Sequence, residues 1–303
     1  MSIALSQIKA ATKAKSIQLE IAGVSVRLIP DDPALTLTIE GAAREFLIND
    51  CTPDIELTAA WGSVEEPRAP LLFDSGAVWK LFDINGDRLF SFNSPTLGTD
   101  PYKLAILNPE FTRGHVILNS NSFEKGAAIY PLEYPLDELI VLNWLALGRG
   151  VEMHSCGLID SDGRGRLFAG QSGAGKTTTA RLWENIDGVK ILSDDRIILR
   201  KIGEEIWMHG TPWHGDAELA SPAKARLDHI YFIKHGPENR LAELSKANAI
   251  ARLFACSFPP FHSSEGLDFT LGFMSEVVAS VHCAELTFTP TREAVDFING
   301  MIE

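Results

Sequence analysis

The sequence predicts two parts of different class: a β-rich N-terminal domain over residues 1–125 and an α/β domain over residues 126–303. Three observations carry this. Apolar and polar residues alternate with a period of two through the first part, which is the spacing of half-buried strands. Beyond it, apolar strand-like runs alternate with stretches of helical spacing, as in folds that lay helices on a sheet. Between one such run and one such helix stands Gly170-x-x-x-x-Gly175-Lys176-Thr177, a spacing that turns a chain around a phosphate.

Composition sets the outer bounds. A chain of 303 residues with 45% apolar and 22% charged residues has material for two domains and a sizeable core. Its formal charge of −13 argues against general binding to nucleic acid or anionic membrane surfaces. Residues 1–15 lack a signal-type apolar core, and nowhere do 18 apolar residues run together, so a cytoplasmic protein is expected. The four cysteines, Cys51, Cys156, Cys256 and Cys283, form no C-x-x-C pair, and reduced thiols are expected rather than a zinc or redox site.

In the first part, Ile17-Gln-Leu-Glu-Ile21 and Val24-Ser-Val-Arg-Leu28 alternate on either side of Gly23, as a hairpin would. Strands are also expected over 35–39 and 54–58. Two runs between Val78 and Phe92 flank Asn85-Gly86, a pair suited to a type I′ turn because both positions tolerate positive φ. Short strands over 102–107 and 115–118 follow, and the small, polar stretch 119–126 marks a boundary.

In the second part, Pro135 can open a helix that sets Leu136, Leu139, Ile140, Trp144 and Leu147 on one face and stops at Gly148. Strands are expected over 153–160 and 166–169, then a helix from Thr177 to Trp183. Val189 to Ser193 and Ile197 to Lys201 read as strands on either side of Asp194-Asp195. Another strand is expected over 229–233, helices over 245–257 and 267–281, a strand over 285–289 and a last helix over 291–302.

The loop Gly170, Gln171, Ser172, Gly173, Ala174, Gly175, Lys176, Thr177 and Thr178 is the candidate nucleotide site. Glycines let backbone N–H groups curl around phosphate oxygens, the helix start adds a positive end, Lys176 reaches the β- and γ-phosphates and Thr177 ligates Mg²⁺. Asp194 and Asp195 stand at the C-terminal end of a strand, the edge where α/β sheets bind ligands. One is expected to serve the metal and the other to accept a proton from an attacking hydroxyl. His154 is a further candidate one strand upstream. The segment 207–216, with Trp213, His209, His214 and Asp216, and Glu218 just beyond, is a candidate substrate-side loop.

The loop, Ser193-Asp194-Asp195 and the strand before both resemble the C-terminal catalytic domain of HPr kinase/phosphorylase. They are similar also to HPr-kinase-related proteins of bacteria that share a Gly210-Thr211-Pro212-Trp213 run. The resemblance covers roughly residues 130–303. It implies an α/β P-loop domain of the HPr kinase/PEP carboxykinase-like class for that part, while the β-rich N-terminal domain has no counterpart in the companion domain of that enzyme. It also implies Mg²⁺-dependent transfer from ATP or GTP to a serine, with roles falling on Lys176, Thr177, Asp194 or Asp195, and His154. Homo-oligomerisation is implied by the resemblance alone. The sequence departs from that family where Trp207-Met-His-Gly lacks a metal-holding acid and where a later Pro-Gly-Arg segment is absent, so the reverse, dephosphorylating activity is not expected.

The functional expectation is therefore a kinase acting on a hydroxyl of a peptide, protein or small molecule. A small-metabolite kinase and a non-catalytic ATP-binding switch or peptide-recognition module are the alternatives. A GTPase or motor ATPase ranks below them for want of switch loops.

Overall fold

The computed structural model describes residues 16–49, 51–98 and 100–300. The N-terminal stretch read for targeting signals and the last residues of the expected C-terminal helix lie outside them. The chain divides into two compact units, one formed by 16–19 and 25–133, the other by 20–24 and 134–300. This division lies later than the expected boundary between 125 and 126. Ala128–Ile129 pairs in parallel with Thr36–Leu37, which ties the intervening stretch to the first unit.

The first unit is built on a sheet of β1 (Ile17–Ile21), β2 (Val24–Pro30), β4 (Ile55–Gly62), β5 (Leu71–Asp74), β6 (Trp79–Ile84), β7 (Asp87–Phe92), β8 (Lys103–Leu107) and β9 (Arg113–Asn119). The short strands β3 (Thr36–Leu37) and β10 (Ala128–Ile129) make the parallel pair. The large sheet runs β1-β2-β4-β9-β8-β7-β6-β5, parallel where β4 meets β2 and β9, and antiparallel from β9 to β5. Asn85 and Gly86 take φ of 55° and 96° in the β6–β7 turn, the positive values a type I′ turn needs. Alternation along the strands puts Phe82, Leu89 and Leu104 with Val64 on one face, while Leu81 pairs with Phe90 on the other. β5 has no alternation to betray it: Leu71 and Leu72 are both exposed on an edge strand.

The second unit begins with α1 (Leu136–Leu145), followed by β11 (Val151–Ile159), β12 (Gly165–Ala169), α2 (Lys176–Glu184), β13 (Lys190–Ser193), β14 (Arg196–Ile202) and β15 (Glu205–Gly210). It continues through β16 (Lys224–His235), β17 (Arg240–Glu243), α3 (Lys246–Ala255), α4 (Ser264–Ser280), β18 (His282–Phe288) and α5 (Arg292–Gly300). The unit is mixed α/β. Helix α1 departs from the expected one-sided pattern: Asp137, Glu138 and Asn143 are buried along with its apolar residues, and Leu147 is exposed. No helix among the described residues is long and apolar enough to cross a membrane.

The sheet carries helices on both faces. Leu167, Ile230 and Phe232 pack with Leu253 of α3 and Met274 and Val277 of α4. Phe168, Tyr231 and Ile233 pack on the other side with Ala180 and Trp183 of α2 and Val295 and Ile298 of α5. Alternate residues of one strand thus serve opposite layers, which is why these strands read as unbroken apolar runs. β12 is parallel to β16 and β16 to β18, while β11 runs antiparallel to both β12 and β13. The C-terminal ends of β12, β13, β16 and β18 therefore share one edge.

Candidate functional site

Three segments meet at that edge because of register. On β11, Ser155 stands opposite Ala169, the last residue of β12, and His154 stands opposite Arg196, the first residue of β14. The Ser155 N–H donates to the Asp195 carbonyl at 3.0 Å. His154, the start of the glycine-rich loop and Asp195 are thereby brought to one level of the sheet.

The loop after β12 turns tightly enough to need its glycines. A Cβ on Gly170 would stand 2.6 Å from that of Ala174, and Gly175 has φ of 108° with His235 and Phe288 2.8 Å from where its Cβ would be. Gly175 is the N-cap of α2, so the N–H groups of the first helical turn, with no partners inside the helix, point out of the loop. The buried Lys176 ammonium folds back over it, donating to the Gly170 carbonyl at 2.9 Å and the Gln171 carbonyl at 3.4 Å. Burial pulls the Lys176 pKa below the ordinary lysine value, against the opposing charge of Asp195. Gln171, Ser172 and Gly173 are exposed at the loop tip, and Thr177 and Thr178 are half-buried in the first turn of α2.

The hairpin beneath the loop is fixed by a buried ion pair. Arg166 donates from Nε to Asp160 Oδ2 at 2.7 Å, both side chains are 1–2% exposed, and the guanidinium lies 5.0 Å from the Trp183 ring of α2. Asp160 Oδ1 accepts from the N–H groups of Asp162 and Arg164, so one carboxylate holds the turn and the strand that delivers the loop.

The two aspartates have different surroundings. Asp194 is fully buried, and its oxygens accept from the N–H groups of Gly215 at 2.8 Å and Ala217 at 3.0 Å. Asp195 is partly exposed, with Oδ1 3.0 Å from His154 Nε2 and Oδ2 in contact with Arg196 Nη1. Burial raises the Asp195 pKa, but the His154 hydrogen bond and the charges of Arg196 and Lys176 outweigh it and hold the carboxyl below the usual range.

Arg196 is the residue that sequence reasoning missed. Its Nε donates to Glu138 of α1 at 2.9 Å and lies 3.4 Å from Glu152 of β11, and its guanidinium covers the Phe258 ring at 4.2 Å. Burial, then the neighbouring Glu138, raises the Glu152 pKa well above the ordinary carboxyl value. A glutamate in the otherwise apolar run before His154 was the available signal for this cluster.

The segment 207–216 divides by position. Trp213 is buried, and its carbonyl accepts from Ser193 Oγ at 3.1 Å. Thr211 Oγ1 donates to the Arg196 carbonyl at 2.8 Å, so Thr211 and Trp213 clamp this loop onto the β13–β14 turn that presents Asp195. His209 is buried within the sheet; burial and the charges of Arg200 and Lys224 lower its pKa to about 4. His214, Asp216 and Glu218 are exposed; His214 Nδ1 lies 3.0 Å from the Gly215 carbonyl, and the Asp216 carbonyl accepts from Arg181 at 3.4 Å.

Among the described residues no group of three or more His, Cys, Asp or Glu is arranged to hold a metal ion. Mg²⁺ shared with a nucleotide does not require one, since it takes one or two protein oxygens and completes its shell from phosphates and water. The glycine-lined turn, the helix start and the Thr177 hydroxyl are the groups that fit such a complex. No protein-family model matches the chain, and no curated protein matches it.

Proposed function

We propose that the chain is a Mg-ATP-dependent phosphotransferase that moves a γ-phosphoryl group to an alcohol, a serine of a peptide or protein where the HPr-kinase resemblance is followed. One observation carries this reading. Asp195, hydrogen-bonded to His154, stands at the level of a tight glycine turn whose lysine is close enough for the two charges to shift each other's pKa.

In this reading the N–H groups at the start of α2 hold the phosphate oxygens, and Lys176 moves its ammonium from the Gly170 and Gln171 carbonyls to the β- and γ-phosphates. Thr177 would hold Mg²⁺, which neutralises charge on the phosphates when bound, with the aspartate pair supplying further negative charge at the sheet edge. Asp195 accepts the hydrogen bond of the incoming hydroxyl. As the new oxygen–phosphorus bond forms and the bond to the β–γ bridging oxygen breaks, the hydroxyl proton passes to Asp195 and ADP is the leaving group. A loose transition state asks more for orientation than for base strength, which suits a carboxylate kept ionised across neutral pH. Asp194 holds the 215–217 loop, and the proton-accepting role falls on its neighbour.

The test is incubation with γ-labelled ATP, Mg²⁺ and a desalted bacterial lysate supplemented with small alcohols, alongside Lys176→Ala, Asp194→Asn and Asp195→Asn. Label on an acid-stable polypeptide or a small molecule, lost in Lys176→Ala and Asp195→Asn, is the expected result. Undiminished transfer by Lys176→Ala would refute it.

A further inference from the structure

A pocket of about 270 Å³ opens beside the loop and shares Gly170 and Gln171 with it. Gly170 and Gln171 form one wall, Phe232 and Ile233 of β16 another, and Arg252 and Cys256 at the end of α3 the third. Cys256 joins the pocket to the candidate site: its carbonyl accepts from the His154 N–H at 2.7 Å, and its thiol lies within electrostatic reach of Lys176. The cavity therefore adjoins both the loop and the strand that carries His154, the hydrogen-bond partner of Asp195.

Its chemistry is specific for so acidic a chain. The walls are apolar or backbone except for Arg252, which belongs to a charge cluster with Lys234 and Glu285. Both cations share one carboxylate, with Glu285 2.8 Å from Arg252 and 2.5 Å from Lys234. Two positive charges on one negative leave a local surplus of one in a protein whose formal charge is −13. The volume is below the roughly 300–1,000 Å³ that encloses a drug-sized ligand. It suits a few heavy atoms.

We propose that this pocket is the acceptor subsite and that Arg252 selects an alcohol bearing an anionic group within a few bonds of its hydroxyl. The proposal rests on the phosphotransferase reading for the word acceptor, whereas the pocket's preference for small anions is measurable without turnover. Two sources share this chemistry: a free hydroxy acid, and an acidic residue beside a serine.

Cys256, a buried thiol on the pocket wall whose pKa burial raises, reports on the pocket when it is alkylated. The full-length protein is alkylated with iodoacetate or with neutral iodoacetamide, the thiolate displacing iodide in both, and modification at Cys256 is followed by mass spectrometry with the exposed Cys51 as reference. Relative to Cys51, Cys256 is expected to favour iodoacetate over iodoacetamide by roughly three- to tenfold, and Arg252→Gln to bring that ratio close to one. Labelling is expected to persist with Mg-ATP bound, and to be slowed by glycerate or by acetyl-aspartyl-serine amide, whichever represents the true source.

A ratio near one in the unaltered protein, or one that Arg252→Gln leaves in place, overturns the anion preference. Labelling at Cys256 that neither competitor slows overturns the subsite; where the buried thiol does not react, calorimetric titration with glycerate and acetyl-aspartyl-serine amide replaces it, and binding of neither overturns the subsite. Complete protection by Mg-ATP, or lost Mg-ATP affinity in Arg252→Gln, gives the pocket to the nucleotide instead. Failure to bind Mg-ATP at all, with the labelling ratio intact, refutes the phosphotransferase and spares the anion site.

Discussion

Both large sheets carry exposed ion pairs, such as Lys201–Glu276 in the second, but the second also encloses pairs on both sides. In the first, Lys80 pairs with Glu66 at 2.7 Å and Arg88 with Asp83 at 2.8 Å, all with side chains between about a quarter and a half exposed. Even Lys103, whose own side chain is buried, reaches a carboxylate, Glu133, that is 45% exposed. In the second sheet, Arg166 and Asp160 are enclosed on both sides, and Arg196 gathers Asp195, Glu138 and Glu152 in a largely buried cluster. Exposed pairs contribute little and can be lost, whereas a buried charge is tolerable only with its partners in place. The contrast marks the second sheet's loop edge as the place where geometry is constrained most tightly.

The largest expected effect follows from the most enclosed pair. Asp160→Asn leaves the Arg166 guanidinium buried without its countercharge and sets an amide N–H₂ against it in place of Oδ2, while the remaining oxygen can still accept from the two turn N–H groups. A loss of about 3–5 kcal/mol is expected from denaturant unfolding of the full chain. The double substitution Asp160→Leu with Arg166→Met should recover much of it. If Asp160→Asn costs no more than an exposed pair does, the contrast between the sheets fails.

His209 gives the next effect, and its sign is fixed by linkage. Its folded pKa of about 4 lies below the ordinary 6.5, so between these values the native state binds fewer protons than the unfolded chain. The stability that the neutral, buried imidazole permits is complete above pH 6.5 and is lost as the pH falls toward 4, by about 3 kcal/mol at 1.36 per pKa unit. Unfolding free energies measured at pH 7 and pH 4.5 should therefore differ less in His209→Gln than in the unaltered chain. An equal pH slope in both would mean that the histidine is charged where it lies.

Arg196 sharpens the comparison within the second sheet. On the proposed reading Asp195 depends on it for position and for its depressed pKa, so Arg196→Gln should lower kcat by roughly 10- to 100-fold. It should also move the acid limb of the pH–rate profile upward, since losing the adjacent positive charge raises the pKa of the carboxyl. Destabilisation alone would not shift that limb. Arg196→Lys should restore only part of the rate, because an ammonium cannot span Asp195 and Glu138 as the planar fork does.

How much of this the sequence disclosed depends on how local each signal is. The Gly170–Thr177 spacing, the Asn85-Gly86 turn and the apolar runs of β12 and β16 are short-range patterns that a single segment carries. Arg196 with Glu138 is not: the partners are 58 residues apart, and each taken alone is an ordinary charged residue. Asp194 and Asp195 were legible as a pair but not as individuals, because what separates them is the 215–217 loop folding back onto one of them. β15 read as an irregular segment because its tryptophan, histidine and glycine mask strand alternation, and its pairing with β14 and β16 is set by partners elsewhere in the chain. The exposed β5 and the two-residue β10 lacked any apolar period to find.

The smallest effect is expected on the first sheet, and it is the control on which the comparison rests. Lys80 and Glu66 make a short contact, and the Glu66 hydrogen bond raises the Lys80 pKa against slight desolvation. Both side chains are more than a third exposed, so solvent screens the attraction and the long lysine gives up rotamer freedom to make it. Lys80→Ala, Glu66→Ala and the double variant should yield a coupling energy below about 1 kcal/mol, shrinking further at high salt. A coupling of several kcal/mol that ignored salt would mean that this pair sits in an effectively dry site. The distinction between the two sheets would then lie in connectivity rather than in burial.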